Sequence, residues 1–269
     1  MSFEQELTLL ESVLDRTTAL DPLGALRGAM VVQARAPIDL TKVAFGIDSN
    51  IFLRLANAPR SEDLLDFLAS HSAPLILPSQ AVQEFWNNRK TITTISDDLK
   101  SRFSALSKTV DSIDANFGEF ERRFGELLSE FEAEFGYLYH GQILDRVVKM
   151  LELLKEKAHC YSVPRSRFAT YAKQRKLART PPGFEDKGDG DFYVWADFLY
   201  GLLICRRNSN VPQFEHIVLL TDDNKKDWSS YGIPHPVLTA EVQSLFGVPF
   251  SIWGLKVFAE RVEKFYAGQ

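Results

Sequence analysis

The sequence has few cysteines, no excess of basic residues and no long hydrophobic run. Its two cysteines, Cys160 and Cys205, are too few for a disulfide framework and lack the paired spacing of a zinc site. The formal net charge of −5 argues against a protein that coats nucleic acid by bulk electrostatics, although a local basic groove is compatible with it. The longest apolar stretch, residues 192–205, contains Asp197 and is too short to span a bilayer.

Two further absences concern targeting and covalent catalysis. The first residues, MSFEQELTLLES, hold acids where a signal peptide would have a basic segment and then an apolar one, so we expect a cytoplasmic protein without a membrane partner. No serine or cysteine constellation indicates a covalent nucleophile, and the five histidines show no ligand spacing. The chain has enough apolar residues for a large hydrophobic core, because 45% of its 269 residues are hydrophobic and 20 are phenylalanines.

Hydrophobic periodicity predicts alternating strands and helices. Short apolar runs predict buried strands at residues 43–47, 73–78, 216–220 and 249–253, and helical patterns lie between and after them. This alternation predicts an α/β fold, a three-layer α/β/α sandwich with a mostly parallel central sheet. Apolar residues at three- and four-residue steps in 99–135 and 143–154 predict a long helical hairpin inserted at about 96–160. Residues 1–42 are predicted to be an N-terminal helical appendage to a domain spanning 43–269.

Acidic residues follow the predicted strands or begin the helices after them. Asp48 comes directly after the first strand, Glu84 lies in the helix after the second, and Gly190–Asp191 begins a very apolar helix. The third predicted strand, residues 216–220, runs into VLLTDDNKKDW (218–228), with Asp222 and Asp223 at its end. Taken singly, each acid has an ordinary explanation as a turn, a helix cap or a solvated carboxylate. Together they lie where parallel sheets place their sites, at the carboxyl ends of the strands.

Four segments add a resemblance to a known family. They are PSQAVQEFWNN (78–88), PPGFEDK (181–187), GDFYVW (190–195) and TDDNKKDW (221–228). With Asp48 and Asn50 after the first strand, their type and order resemble the PIN domain superfamily of nucleases, in particular a bacterial PIN-like branch with a long helical insertion. The resemblance covers roughly residues 43–265 and implies a Rossmann-like nuclease fold.

The resemblance implies a metal-dependent nuclease, and specifically an endoribonuclease on single-stranded or structured RNA. Asp48, Glu84, Asp191 and Asp223 would be catalytic and bind Mg²⁺ or Mn²⁺, which are hard ions that take oxygen ligands. Asp223 is expected to face the metal, with Asp222 orienting it or binding an outer-shell water, while Asp227 caps and Trp228 anchors the next segment. Residues expected to position the substrate or the carboxylates are Asn50, Thr221, Lys225, Lys226, Arg175, Lys176 and Asp186.

Residues 164–180 bear on the substrate, since they hold six Lys or Arg and no acid, with Phe168 and Tyr171 between them. This composition suits single-stranded nucleic acid, RNA or single-stranded DNA, but it equally suits a solvated helix face. The expected partners also include a second copy of the chain, through the helical insertion, and an inhibitory protein. A structure-specific DNA nuclease and an inactive RNA-binding module stay open. A phosphatase with Asp48 as nucleophile ranks low, because Asn50 stands where a second aspartate is expected.

Overall fold

A five-stranded parallel sheet forms the centre of the chain in the computed structural model, which describes residues 3–30, 38–58, 60–87, 100–109, 119–135, 142–223 and 225–268. Its strands are β1 Val43–Ile47, β2 Leu75–Pro78, β3 His159–Tyr161, β4 His216–Leu220 and β7 Phe250–Trp253. They lie in the order β3-β2-β1-β4-β7, and every neighbouring pair is parallel. A separate antiparallel ribbon joins β5 Ser229–Ser230 to β6 Ile233–Pro234.

The four predicted strands are confirmed, with β2 and β7 starting slightly later than predicted. The sequence pattern does not predict β3, because its three residues are only partly buried and form no apolar run. β3 is the edge strand beside β2. The predicted parallel pairing is also confirmed, since all four pairs in the described sheet are parallel.

Helices cover both faces of the sheet. They are α1 Phe3–Leu14, α2 Pro22–Met30, α3 Ser49–Asn57, α4 Ser61–Ser70, α5 Ser79–Asn87, α6 at residues 100–109, α7 Phe120–Phe135, α8 Gln142–Lys157, α9 Arg165–Leu177, α10 Gly190–Arg207, α11 Pro236–Phe246 and α12 Leu255–Ala267. Because successive strand residues point to opposite faces, Ala44 joins the core under α1, α9, α10 and α11, while Phe45 joins the core under α3, α4, α8 and α12. This α/β arrangement is consistent with a three-layer sandwich. Of the helices in the described ranges, none is long and apolar enough to cross a membrane.

The N-terminal helix α1 belongs to this fold and is not an appendage to it. Its residues Leu7, Leu10, Val13 and Leu14 are buried in the same core as α10. An amphipathic helix needs an apolar surface for its stripe, and α10 and α11 supply that surface. The helical periodicity of this segment is therefore confirmed, and α1 packs on the core of the sheet domain.

The region predicted as a helical hairpin contains three described helices with different neighbours. Phe103 of α6 stacks on Phe131 of α7, with 5.8 Å between ring centroids. α8 packs instead on α3 and α4, where it buries Val147, Met150 and Leu154. α8 is thus one of the helices that cover the sheet. Residues 96–99, 110–118 and 136–141 of the predicted hairpin lie outside the described residues.

The strand order reverses between β1 and β4. The chain moves outward from β1 to β2 and β3, then returns to the other side of β1 to form β4 and β7. Such a reversal opens a crevice beyond the carboxyl ends of the two central strands. Asp48 directly follows β1 and Thr221 directly follows β4, so both residues lie at this crevice.

Candidate active site

Asp48, at the end of β1, is a buried carboxylate held by four donors. Its Oδ1 accepts from the Ser49 backbone N–H at 2.6 Å and lies 3.3 Å from the Ser49 hydroxyl. Its Oδ2 accepts from the Asn50 amide and the Thr221 hydroxyl, each at 2.8 Å. Burial raises the pKa of Asp48 to about 6, and the nearby carboxylates of Glu84 and Asp223 act in the same direction.

Asn50 and Thr221 tie the end of β1 to the end of β4. The Asn50 Nδ2 donates to the Thr221 hydroxyl at 3.0 Å as well as to Asp48, and its Oδ1 accepts from the Asp222 backbone N–H at 3.0 Å. The Thr221 hydroxyl also accepts from the Asp223 backbone N–H at 3.0 Å. Both residues, expected from the sequence to have a positioning role, orient Asp48 and the turn that follows β4.

Glu84 projects from α5 toward the same crevice. Its Oε1 accepts from Gln80 at 3.0 Å, a contact that their four-residue spacing on a helix predicts. Its Oε2 lies 3.1 Å from the hydroxyl of Ser49, which therefore bridges Asp48 and Glu84. A Cβ added to Gly190 would lie 2.5 Å from Glu84 Oε1, so a larger residue there would displace the Glu84 carboxylate from its present position. The sequence reasoning missed Ser49, whose place between two acids depends on α3 and α5 meeting.

Asp191, in the first turn of α10, has a raised pKa and Asp186 as its neighbour. Burial and the hydrogen bond with Asp186 raise the pKa of Asp191 to about 7. Burial also acts to raise the pKa of Asp186, but its hydrogen bonds with Asp191 and Lys225 outweigh this and lower it. The Asp191 Oδ2 accepts from the indole Nε1 of Trp228 at 3.0 Å.

Trp228 and Asp227 hold Asp191 in place, the first by a direct hydrogen bond and the second through the loop that packs against Asp191. Trp228 is buried, as predicted, and its indole donor was not anticipated as a contact of the site. Asp227 does not cap the next segment as predicted, because it is fully buried and its Oδ2 accepts from the Gly183 backbone N–H at 2.8 Å. Gly183 has a φ of +87°, and an added Cβ would lie 3.2 Å from the Cβ of Asp191. Asp227 thus fixes the PPGFEDK loop against Asp191.

Asp223 completes the group at the end of β4. Its Oδ1 accepts from the Lys225 backbone N–H at 2.9 Å, and its Oδ2 lies 2.8 Å from the Lys225 ammonium. Burial acts to lower the pKa of Lys225, but hydrogen bonds to Asp186 and Asp223 and the charge of Asp191 outweigh this and raise it. We refer to the carboxylates of Asp48, Glu84, Asp186, Asp191 and Asp223 as the acidic cluster.

Asp222, the other acid of the pair, serves the start of α12. Its Oδ1 accepts from the backbone N–H of Leu255, the first residue of α12, at 3.0 Å. Its Oδ2 pairs with Arg54 at 2.9 Å. A carboxylate at a helix N-terminus satisfies an unpaired backbone donor and stabilises the helix dipole. Both oxygens therefore make structural contacts here, and the role of Asp222 as a metal ligand or its helper stays a prediction.

The basic helix α9 is mostly part of the scaffold. Arg175, expected to position the substrate, is buried and pairs with Glu241 of α11 at 2.6 Å. Arg165 binds the buried Asp197 through both of its terminal nitrogens at 2.8 Å. Phe168 is fully buried, so it has no face to offer to a base. The partners of these residues come from distant parts of the chain, and a substrate role for Arg175 stays a prediction.

Two other lysines border the acidic cluster. The Lys176 ammonium donates to the backbone carbonyls of Lys187 and Gly188 at 2.7 and 2.9 Å, so it holds the loop that leads into α10. Lys226 is 74% exposed and pairs with Glu185 at 2.7 Å. Of the expected substrate-positioning lysines, Lys226 is thus the more accessible to a phosphate from solvent.

The acidic cluster fits a hard divalent ion by its donor chemistry but is arranged around an ammonium group. The metal ligands that it could offer are all carboxylate oxygens, which Mg²⁺ and Mn²⁺ prefer. The Lys225 ammonium lies among three of these carboxylates, which shows that this position favours a cation. Within the described ranges, however, no group of three or more His, Cys, Asp or Glu side chains is arranged to hold a metal ion.

An open pocket of about 550 Å³ lies at the opposite edge of the sheet, next to the start of β4 and β7. Its charged lining includes Lys42 and Glu215, which pair with each other at 2.7 Å, and Asp39, which accepts a hydrogen bond from the Thr41 backbone at 3.0 Å. These groups already satisfy one another. The acidic cluster at the carboxyl edge is therefore the better candidate for chemistry.

Comparisons of the chain with protein-family models, with curated proteins and with solved structures found no match.

Proposed function

We propose that the chain is a PIN-like, divalent-metal-dependent nuclease that hydrolyses RNA. The observation that supports this proposal is the meeting of Asp48, Glu84, Asp191 and Asp223, which come from four separate segments, beyond the carboxyl ends of β1 and β4. Ser49 connects Asp48 to Glu84, Gly190 brings α10 against Glu84, and Lys225 connects Asp191 to Asp223. These are the same four acids that the resemblance selects.

Gathering carboxylates in this way is unfavourable for the folded chain. Burial and mutual repulsion raise the pKa of both Asp48 and Asp191 well above the usual range of an aspartate. Perturbed carboxyls that face a crevice are typical of catalytic and metal-binding sites. A purely structural explanation accounts well for Asp197, which pairs with Arg165 and accepts from the backbone N–H groups of Val163 and Gln80. It accounts less well for the acidic cluster, where several carboxylates from separate segments lie close together.

In the proposed reaction the side chains of Asp48, Glu84, Asp191 and Asp223 hold Mg²⁺ or Mn²⁺. A divalent ion bound there would activate a water molecule and neutralise charge at the scissile phosphate. The surrounding residues keep the ligands in place: Asn50 and Thr221 orient Asp48, Gln80 orients Glu84, and Trp228 orients Asp191. Lys226, exposed at the rim, is placed to meet a phosphate. The choice of RNA over DNA follows from the family resemblance.

The proposal is tested by incubating the purified protein with labelled single-stranded RNA, single-stranded DNA and branched DNA, in Mg²⁺, Mn²⁺ or EDTA. We expect cleavage of RNA with either metal and none in EDTA. Asp48→Asn should remove cleavage, because the amide supplies one poor ligand oxygen in place of a carboxylate. Asp63→Asn, at an exposed position of α4, is the matched control and should cleave normally.

Each other outcome has a definite meaning. Cleavage that persists in EDTA, or in Asp48→Asn, contradicts the metal mechanism. Cleavage restricted to branched DNA replaces RNA with a structure-specific DNA substrate. Binding of RNA without cleavage under any condition supports an inactive RNA-binding module.

The adjacent aspartates after β4 should differ in their effects. Asp223→Ala is expected to remove cleavage, because it takes a proposed ligand from the acidic cluster. Asp222→Ala is expected to retain most of the cleavage and to destabilise the fold by about 1 kcal/mol, the usual loss for a helix cap. Initial rates with RNA and thermal unfolding of both variants check this division, and equal loss of cleavage in the two would contradict it.

A further inference from the structure

Lys225 is surrounded by carboxylates from three segments. Its Nζ lies 2.7 Å from Asp186 Oδ2, 3.1 Å from Asp191 Oδ2 and 2.8 Å from Asp223 Oδ2. These acids belong to the loop before α10, the first turn of α10 and the turn after β4. The ammonium therefore ties together three parts of the chain that meet only in the folded protein.

The neighbouring Lys226 has no such environment. Its side chain is 74% exposed and pairs with Glu185, whereas that of Lys225 is 32% exposed and contacts three acids. The Lys225 backbone N–H also donates to Asp223, so main chain and side chain bind the same carboxylate. Lys225 is thus fixed inside the cluster, and Lys226 provides an internal control.

A lysine in this position acts like a bound monovalent cation. Three carboxylates this close repel one another, and the ammonium offsets part of that repulsion. A divalent ion on Asp191 and Asp223 would bring two positive charges within a few ångströms of the ammonium. The ammonium and the divalent ion cannot bind the same carboxylate oxygens at the same time, so binding of one displaces the other.

We propose that Lys225 is a tethered counter-ion that holds the metal-free cluster together, and that a divalent ion enters only by displacing its ammonium group from Asp191 and Asp223. This inference rests on the proposed function, because it takes these two acids as metal ligands. Two consequences follow. In the metal-free chain, the Lys225 ammonium reduces the repulsion between the carboxylates. It also lowers the affinity for a divalent ion, because the ion must compete with the ammonium for the same carboxylates.

The test compares the wild-type chain with Lys225→Met and Lys226→Met. Methionine keeps the length of the side chain and removes its charge. In EDTA, Lys225→Met is expected to unfold roughly 2–4 °C below wild type. By titration calorimetry, it is expected to bind Mn²⁺ roughly tenfold more tightly, which corresponds to about 1.4 kcal/mol. Lys226→Met should match wild type in both measurements.

Further variants make every outcome decisive. Lys225→Gln provides the same comparison if the methionine variant does not fold, and Lys225→Arg, which keeps the charge, should not tighten Mn²⁺ binding. Equal or weaker Mn²⁺ binding on removal of the charge overturns the counter-ion role and leaves the metal site standing. Failure of wild type and both neutral variants to bind Mn²⁺ above the level of Asp48→Asn overturns the proposed function itself.

Discussion

Asp191→Asn is expected to remove RNA cleavage while making the metal-free chain more stable at pH 8. The activity should fall at least about a hundredfold, because metal assistance in hydrolysis is worth several kcal/mol and the variant loses a proposed ligand. The stability should rise because the Asn amide can donate to Asp186 as the protonated carboxyl of Asp191 does, without becoming charged. Its oxygen can still accept from Trp228 and Lys225.

The direction of the pH effect follows from the raised pKa of Asp191. The carboxyl takes up its proton near pH 7 in the folded chain and near pH 3.8 in the unfolded chain, so the folded state binds more protons between these values. The stability this proton provides is fully present below pH 3.8 and is lost as the pH rises through about 7. At pH 8 in EDTA, Asp191→Asn should therefore gain on the order of 2 kcal/mol over wild type.

Urea unfolding in EDTA at pH 5 and pH 8 measures this gain, which should shrink at the lower pH. Asp189→Asn is the matched control, because Asp189 lies two residues earlier with a 37% exposed side chain and a longer contact of 3.6 Å to Lys176. It should alter neither the cleavage nor the slope of stability with pH. An Asp191→Asn variant that is less stable than wild type at both pH values would contradict the raised pKa of Asp191.

Arg175→Met is expected to destabilise the chain by roughly 3–5 kcal/mol, the usual effect of removing one partner of a buried ion pair. Arg175 binds Glu241 at 2.6 and 3.3 Å and also donates to the Pro181 carbonyl. Glu241 is fully buried and accepts from the Trp195 indole at 2.8 Å, so it would keep a charge without its main partner. A loss of this size is a large part of the stability of an ordinary domain.

The double variant Arg175→Met/Glu241→Leu separates scaffold from substrate binding. Replacing both charges with apolar groups should recover most of the lost stability, because neither charge is left buried alone. The double variant is then expected to bind and cleave RNA as wild type does. Lys173→Met, at an exposed position of α9, is the control for losing one positive charge from this helix. A stable double variant with strongly weakened RNA binding would restore Arg175 as a substrate residue.

Much of the sheet could be predicted from the sequence, since strands buried on both faces appear as short continuous apolar runs. β1, β2, β4 and β7 are of this kind, and every residue of β1, β2 and β7 is buried. Only the first residue of β4 is partly exposed. β3 could not be predicted because partial exposure and a length of three residues leave no pattern. The contact between Gln80 and Glu84 could be predicted because it is local to one helix.

The sequence by itself determined which acids follow the strands of a parallel sheet, and therefore which carboxylates could share one edge. Only the tertiary structure decided what each polar side chain binds. In the folded chain Asp222 binds the start of α12, Arg175 pairs with Glu241, and Lys225 contacts three acids. The physical reason is distance along the chain: Glu241 lies 66 residues from Arg175, and Asp186 lies 39 residues from Lys225. Local patterns encode burial and periodicity, whereas the partner of a charge depends on which segments the fold brings together.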